Sequence, residues 1–245
     1  MGNNRQIKKG LYITFMLLLF VGCEKAPSSL EVIHASLDAH GGINAWESTE
    51  QLSYQKTSLL YDSLGNLKQK VVQEHFNTWD PSFYAEMKWV DDTIATKVIL
   101  EKGQIIVYRN DSLIKTPALG AKYRSDIMGA HYVVWQPYKL LEPDAQLNYQ
   151  GIKTLERGVS AHTVQVNYYK ADGSKGNTWW YYFDVENYKL LGNMVHHGTT
   201  YAYIENIAYE EKTGLSLNAE RKSFRTDSLG NKKYLIAHYF YDYEK

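Results

Sequence analysis

The stretch Ser28–Trp46, SSLEVIHASLDAHGGINAW, decides how the rest of the chain is read. Ser28 and Glu31 have the S-x-x-E spacing of a capping box, in which each side chain satisfies a free backbone N–H at a helix start. Leu30, Ile33 and Leu37 fall at i, i+3 and i+7, one apolar face of a helix. Gly41-Gly42 marks the stop, because glycine takes the left-handed conformation that closes a helix without steric cost. Ile43 and Trp46, three apart, predict one further turn packed under the first. Nearly everything after this segment reads as strand and turn, so a long sheet has to curve around something, and this helix is the nearest candidate. Two arrangements fit: a plug lying in a curved sheet, or an amphipathic helix docked on one sheet face.

Downstream, the hydrophobic period switches to two. Leu52, Tyr54 and Leu60 share one parity; Phe83, Ala85, Met87 and Trp89 alternate with Tyr84, Glu86 and Lys88. His162, Val164, Val166 and Tyr168 form another such row, as do Trp179, Tyr181 and Phe183, with Trp180 and Tyr182 opposite. The connections are too short for crossovers, which predicts an antiparallel meander. The turn Asp62-Ser63-Leu64-Gly65-Asn66 recurs letter for letter at Asp227–Asn231, while the flanking strands differ; one good hairpin turn used twice accounts for that better than a duplicated half-domain. Between the two strand runs, Thr116 to Pro143 breaks the rhythm. Ser125 is a candidate cap for a helix running to about Gln136, just before Pro137. This insertion reads as a lid over the mouth of the sheet or as a packing element closing its bottom.

Upstream, Arg5, Lys8 and Lys9 precede the apolar run Leu11–Val21, which has signal-peptide length and is short for a membrane span. It ends at Phe20-Val21-Gly22-Cys23, which resembles the lipobox of bacterial lipoproteins. Cys23 is the sole cysteine, so it has no partner for an internal disulfide, and acylation explains both its place and its solitude. Residues 1–22 are then a lipoprotein signal peptide, 23–29 a lipidated tether, and 30–245 a single β domain. Glu24, in place of the aspartate that retains lipoproteins at the inner membrane in some bacteria, points to the outer membrane. The chain has 27 basic and 27 acidic residues; removing the three basic residues of the signal leaves 24 against 27, or −3. A mildly acidic envelope protein lacks the basic face that nucleic acid requires.

No catalytic signature survives scrutiny. Ser53-x-x-Lys56 and Lys212-Thr213-Gly214 stand in the order of a penicilloyl-type serine set. That chemistry needs serine and lysine on one helix turn, whereas residues three apart on a strand face opposite ways. The middle motif is absent too, since Ser125-Asp126 is followed by Ile127. His196-His197 point to opposite strand faces, His34 and His40 do not share a helix face, and there is no H-E-x-x-H. His40 reads as a residue favoured by the negative end of the helix dipole. No metal and no cofactor is expected.

These residues carry a resemblance. The helix ending in Ala39-His40-Gly41-Gly42, then Ala45-Trp46 and a strand, resembles the opening of exported lipoproteins related to the Lol lipoprotein carriers. Tyr149-Gln150-Gly151, Gly158–Tyr169, Trp179–Asp184 and Leu190-Leu191 are similar to that group's core, and His131–Leu141, HYVVWQPYKLL, is similar to an uncharacterised lipoprotein family of Bacteroidota. The resemblance implies a mainly β (α+β) fold, a strongly curved antiparallel sheet or incomplete β-barrel with helices on its concave side, where the carriers receive acyl chains. This chain departs from it in being anchored, and no single arginine matches the carriers' gating position. The expectation is a non-enzymatic envelope lipoprotein, held to the membrane through Cys23, that binds a lipid or acyl chain. Met87, Trp89, Tyr132, Trp135, Tyr181 and Phe183 are the candidate cavity lining. The alternative is an interaction module with a packed interior that docks on an envelope protein.

Overall fold

The computed structural model describes residues 25–115, 117–169 and 173–244. The signal segment and Cys23 lie outside the described residues. Among the described residues two helices come first, α1 (Ser29–Ala39) and α2 (Ile43–Ser48), followed by β1 (Gln51–Tyr61), β2 (Leu67–Thr78), β3 (Tyr84–Asp91), β4 (Ile94–Glu101), β5 (Gln104–Arg109) and the short β6 (Ser112–Leu113). A long helix, α3 (Pro117–Val134), and a 3₁₀ turn (Tyr138–Leu141) lead to β7 (Gln146–Thr154), β8 (Ser160–Tyr169), β9 (Lys175–Asp184), β10 (Leu190–His197), β11 (Thr200–Glu210), β12 (Leu217–Thr226) and β13 (Lys232–Tyr243).

All thirteen strands belong to one sheet in the order β6-β5-β4-β3-β2-β1-β13-β12-β11-β10-β9-β8-β7. The first six step outward from the centre, α3 carries the chain across, and the last seven step back until β13 pairs antiparallel with β1, Tyr54 opposite Tyr243 and Lys56 opposite Tyr241. Neighbouring residues of α3 show how far the sheet curls. His131 packs on Phe83 beside β3 at 4.5 Å, while the Tyr132 hydroxyl lies 2.7 Å from that of Tyr168 on β8. In a flat sheet those strands would stand eight spacings, about 38 Å, apart. The face carrying the helices is therefore strongly concave, and the fold is mainly β, as the strand pattern predicts.

The capping box forms as read: the Glu31 amide donates to Ser28 Oγ at 3.2 Å and the Ser28 amide donates to Glu31 Oε2 at 2.6 Å. The end of α1 is a Schellman closure, with Gly42 N–H on Leu37 C=O at 2.9 Å and Gly41 N–H on Asp38 C=O at 3.4 Å. Gly41 has φ +115°, and a Cβ there would meet the Gly214 carbonyl at 2.9 Å, so glycine serves both the turn and the close approach of two backbones. The buried face differs from the one expected. Val32, Ile33, Ser36 and Leu37 are buried, whereas Leu30 is 52 % exposed. The stripe has rotated toward positions 32 and 36, and α1 packs against α2, β7 and the 3₁₀ turn that follows α3.

The inward residues split into two apolar cores. The larger joins Val32, Ile33, Leu37 and Trp46 to Leu140 and to Val164, Val166, Phe183, Leu190 and Leu217. Each fully buried aliphatic side chain here contributes about 1.5–3 kcal/mol. The smaller lies under the first half of α3, where Tyr123 and Ile127 meet Ala85, Met87, Val98, Leu100 and Val107. The middle helix starts at Pro117 rather than at Ser125, which sits exposed in mid-helix. Proline is well suited to the first turn because its missing N–H has no helical acceptor there, and that outweighs the capping value of Ser125. The two Asp-x-x-Gly-Asn turns are alike in detail. In each, the aspartate accepts from the amides two and four residues on and from the asparagine side chain.

Candidate functional site

The concave face is the candidate site, and its lower end is packed. Trp46 sits edge-on to Trp135 at 5.0 Å, and Trp135 stacks on Trp79 at 3.9 Å, so α2, α3 and the β2–β3 connection are joined by indoles. His40 secures the end of α1. One ring nitrogen, Nδ1, donates to the Ser216 carbonyl at 2.6 Å, and the other, Nε2, accepts from the Leu190 amide at 3.1 Å. That pairing needs the neutral imidazole. Burial lowers its pKa to about 4, so His40 is a neutral clamp between α1, β10 and the start of β12, and not the charged dipole partner expected. No sequence spacing signals this, since its partners lie 150 and 176 residues away.

Above the packed end, α3 is held to the far limb of the sheet by tyrosines. The Tyr132 hydroxyl meets those of Tyr168 at 2.7 Å and Tyr181 at 2.5 Å, and Gln136 Nε2 donates to the Tyr181 oxygen at 3.1 Å. Burial raises the pKa of Tyr132 and Tyr181 well above the usual phenol value, so all of these contacts are between neutral groups. The insertion therefore packs like a structural element and also spans the concavity like a lid.

Between the two apolar cores the inward face is polar. Across β1 and β2 it presents Lys56, Ser58, His75 and Asn77; across β12 and β10 it presents Arg221, Ser223 and Asn193. Arg221 is buried, donating from Nε to Asn206 Oδ1 at 2.9 Å and from Nη2 to Asn193 Oδ1 at 3.0 Å. The Lys56 ammonium lies over the Tyr239 ring at 5.0 Å and the Tyr241 ring at 6.0 Å. Burial lowers its pKa, and nearby Arg221 lowers it further. His75 stacks on Tyr54 with ring centres 4.6 Å apart, and burial holds its pKa near 3. Toward the turns Asp62–Asn66 and Asp227–Asn231 the same face becomes largely apolar and partly exposed, through Leu60, Val195, Ile204 and Trp179, with Arg225 beside them opposite Ala202.

All six residues expected to line a cavity lie on the helix-bearing side. Met87, Trp135, Tyr181 and Phe183 are buried, Met87 in the smaller core and the others in the larger one. Tyr132 is half-buried in the tyrosine cluster, and Trp89 is half-buried 5.7 Å from Tyr123. Sequence reading meets Lys56 only in the unassembled S-x-x-K spacing and does not reach His75 or Arg221. Glu220-Arg221-Lys222 looks like a solvated run, but Arg221 shares the parity of buried Leu217, which is the signal that could have found it. A cavity of 270 Å³ opens on the opposite, convex face, between Tyr182, Tyr203, Leu155 and Lys153 and the turn Asp227–Asn231. Among the described residues no group of His, Cys, Asp or Glu is arranged to hold a metal, and no helix is long and apolar enough to cross a membrane. Ser53 and Lys56 fall on opposite faces of β1, so the serine motif is not assembled.

No protein-family model matches this sequence, and no curated protein matches it significantly. Solved structures do match. A LolA superfamily protein from Nitrosomonas europaea aligns with TM-score 0.54 at 5 % identity, covering 89 % of this chain and 92 % of its own. A domain described as an outer membrane lipoprotein-sorting protein, from Vibrio parahaemolyticus, gives 0.53 at 9 % identity, covering 88 % and 92 %. A DUF1329 family protein from Desulfovibrio piger gives 0.52 at 10 % identity, covering 89 % and 92 %. Across nearly its whole length, then, this chain is folded like the LolA superfamily, a single curled antiparallel sheet with helices on its concave side.

Proposed function

We propose that this protein is a non-enzymatic envelope lipoprotein, anchored in the outer membrane through acylated Cys23, that holds a lipid or acyl chain in the upper half of its concave face. The observation that carries the reading is the partly exposed apolar surface of Leu60, Val195, Ile204 and Trp179, on the helix-bearing side of a LolA-like sheet. Exposed apolar rows inside a concavity are suited to a chain-like ligand, because burying them releases water without a polar cost. Tyr132 of α3 and Tyr181 of β9 border that region, their rings 6.0 and 6.2 Å from Trp179, while Trp135, Met87 and Phe183 belong to the packed cores beneath it. Residues 23–29 act as the tether and the remainder as one ligand-holding domain. The test has two arms. Radiolabelled palmitate should be incorporated into the wild type and not into Cys23→Ser. A fluorescent fatty acid should brighten and saturate at one equivalent, and a linear, unsaturable response would remove the ligand.

A second reading has its own support. The lower concavity is filled by Val32, Ile33, Leu37, Trp46 and Leu140, all within 1 % of full burial. A module packed throughout would instead dock on an envelope protein, and it would take up no fatty acid in the same titration.

A further inference from the structure

Lys56 and Arg221 face the interior of the concavity, half-buried Arg225 lies further along β12 on the same face, and among the described residues none of the three meets an anion. Ser58 and Arg221 both stand opposite Tyr239, one on each side of β13, and Lys56 stands opposite Tyr241 on the same face. Lys56 and Arg221 thus sit diagonally across two tyrosine rings. Among the described residues neither belongs to an ion pair, whereas Lys88, Lys139, Lys189, Lys212 and Lys232 each have a carboxylate partner. Asp126 of α3 acts on Lys56 from a distance, but its carboxylate is engaged by Lys122 at 2.6 Å. The neighbouring tyrosines do not supply charge either, because burial raises the pKa of both Tyr239 and Tyr241. Taking a cation out of water without a counter-charge is costly. Arg221 is offset in part by two asparagine oxygens and the Tyr241 hydroxyl, Lys56 only by aromatic faces. A polar atom on the same face is also unmet: His75 Nε2 is buried with no hydrogen-bond partner, while Tyr54 Oη and Asn77 Nδ2 have only each other. Such a set fits a negatively charged, oxygen-rich group and disfavours a cation.

We propose that Lys56 and Arg221 form a headgroup subsite for the oxyanion, carboxylate or phosphate, of an amphiphile whose chain lies along Leu60, Val195, Ile204 and Trp179. This rests on the apolar-ligand reading and adds to it the chemistry of the ligand's polar end. The charged head supplies the missing anion, and the apolar residues beyond Ser58, Ser223 and Asn193, toward the turns, take the chain. Arg221, pre-oriented by Asn193 and Asn206, fixes where the oxyanion lies; Lys56, partly exposed and flexible, reaches it as a point charge.

The test uses the purified full chain in phosphatidylcholine vesicles and three photoreactive probes bearing a diazirine in the chain: palmitic acid, its methyl ester and lysophosphatidate. Labelling by the preferred oxyanion probe should exceed that by the neutral ester at least tenfold, as expected for loss of a charge-assisted contact. Lys56→Met and Arg221→Gln should bring it down to the ester's level, and Lys56→Arg should restore it. The acid and the phosphate arms decide which oxyanion is read. Arg221 is buried, so Lys56→Met, at a partly exposed position, carries the test if Arg221→Gln does not fold. Equal labelling by acid, phosphate and ester, unchanged in Lys56→Met, would overturn the headgroup subsite and leave the apolar-ligand reading standing. Absence of specific labelling by all three probes would overturn both.

Discussion

Acid should unfold this protein well above the pH at which most carboxylates titrate. Four histidines are buried among the described residues and burial is the largest cause lowering the pKa of each: His40 to about 4, His75 and His131 to about 3, and His162 in the same direction. In the unfolded chain each returns to about 6.5. Below that value the unfolded state takes up protons that the folded state refuses. The stability tied to these groups is therefore complete above pH 6.5 and is lost as the pH falls toward 4 and then 3. Each histidine contributes up to about 1.4 kcal/mol per pH unit, so between pH 6.5 and 5 His40, His75 and His131 together remove about 5 kcal/mol. That is comparable with the whole stability of an ordinary domain, about 5–15 kcal/mol. Asp62, Asp227 and Glu31, whose pKa values are lowered by turn and cap hydrogen bonds, keep their charge throughout this interval. The assay is thermal unfolding followed by tryptophan fluorescence at pH 7.5, 6.5, 5.5 and 5.0. Tm should hold between the first two and then fall by about 10–25 °C. His131→Leu, which replaces a ring whose Nδ1 has no partner by an apolar side chain beside Trp79 and Phe83, should reduce the slope by about one third. A Tm that stays level from pH 7.5 to 5.0, or a slope that His131→Leu leaves intact, would refute the reasoning.

Other perturbations follow from single contacts. Tyr132→Phe removes the hydroxyl shared with Tyr168 and Tyr181; amide exchange across residues 117–134 should rise about tenfold while the sheet stays protected, for a loss of about 1–2 kcal/mol. Gly192→Ala would place a Cβ 2.2 Å from the Ile204 carbonyl at a φ of +156°, so urea unfolding should show a loss of about 3 kcal/mol or more. His40→Ala strands the Leu190 amide and the Ser216 carbonyl, each worth about 1–3 kcal/mol when left unpaired, and limited proteolysis should then release the segment containing α1.

What could be read from the sequence follows from the range of each interaction. The Ser28–Glu31 box, the Gly41-Gly42 stop and the twin Asp-x-x-Gly-Asn turns are satisfied within a few residues, so their letters alone announce them. Alternation placed Met87, Tyr181 and Phe183 on the inward face, because parity is a local property. It did not reveal which inward positions would be apolar core and which polar floor. That depends on pairings such as Arg221 with Tyr239 and Lys56 with Tyr241, set by closing β13 onto β1 from opposite ends of the chain. The start of α3 was misplaced because Ser125 offers a good cap, while Pro117 offers a better first turn. The rotated face of α1 was missed because Leu30 and Val32 are equally apolar, and only the packing of α1 against α2, β7 and the 3₁₀ turn separates them.

The central claim is that the upper concavity holds an apolar chain, and native mass spectrometry of protein released from its own membranes without detergent tests it most directly. The account predicts a discrete adduct of lipid or fatty-acid mass, beyond the acyl groups on Cys23, that dissociates on activation and is diminished in Lys56→Met. A single species at the mass of the acylated chain, unchanged after exposure to excess oleate, would contradict it.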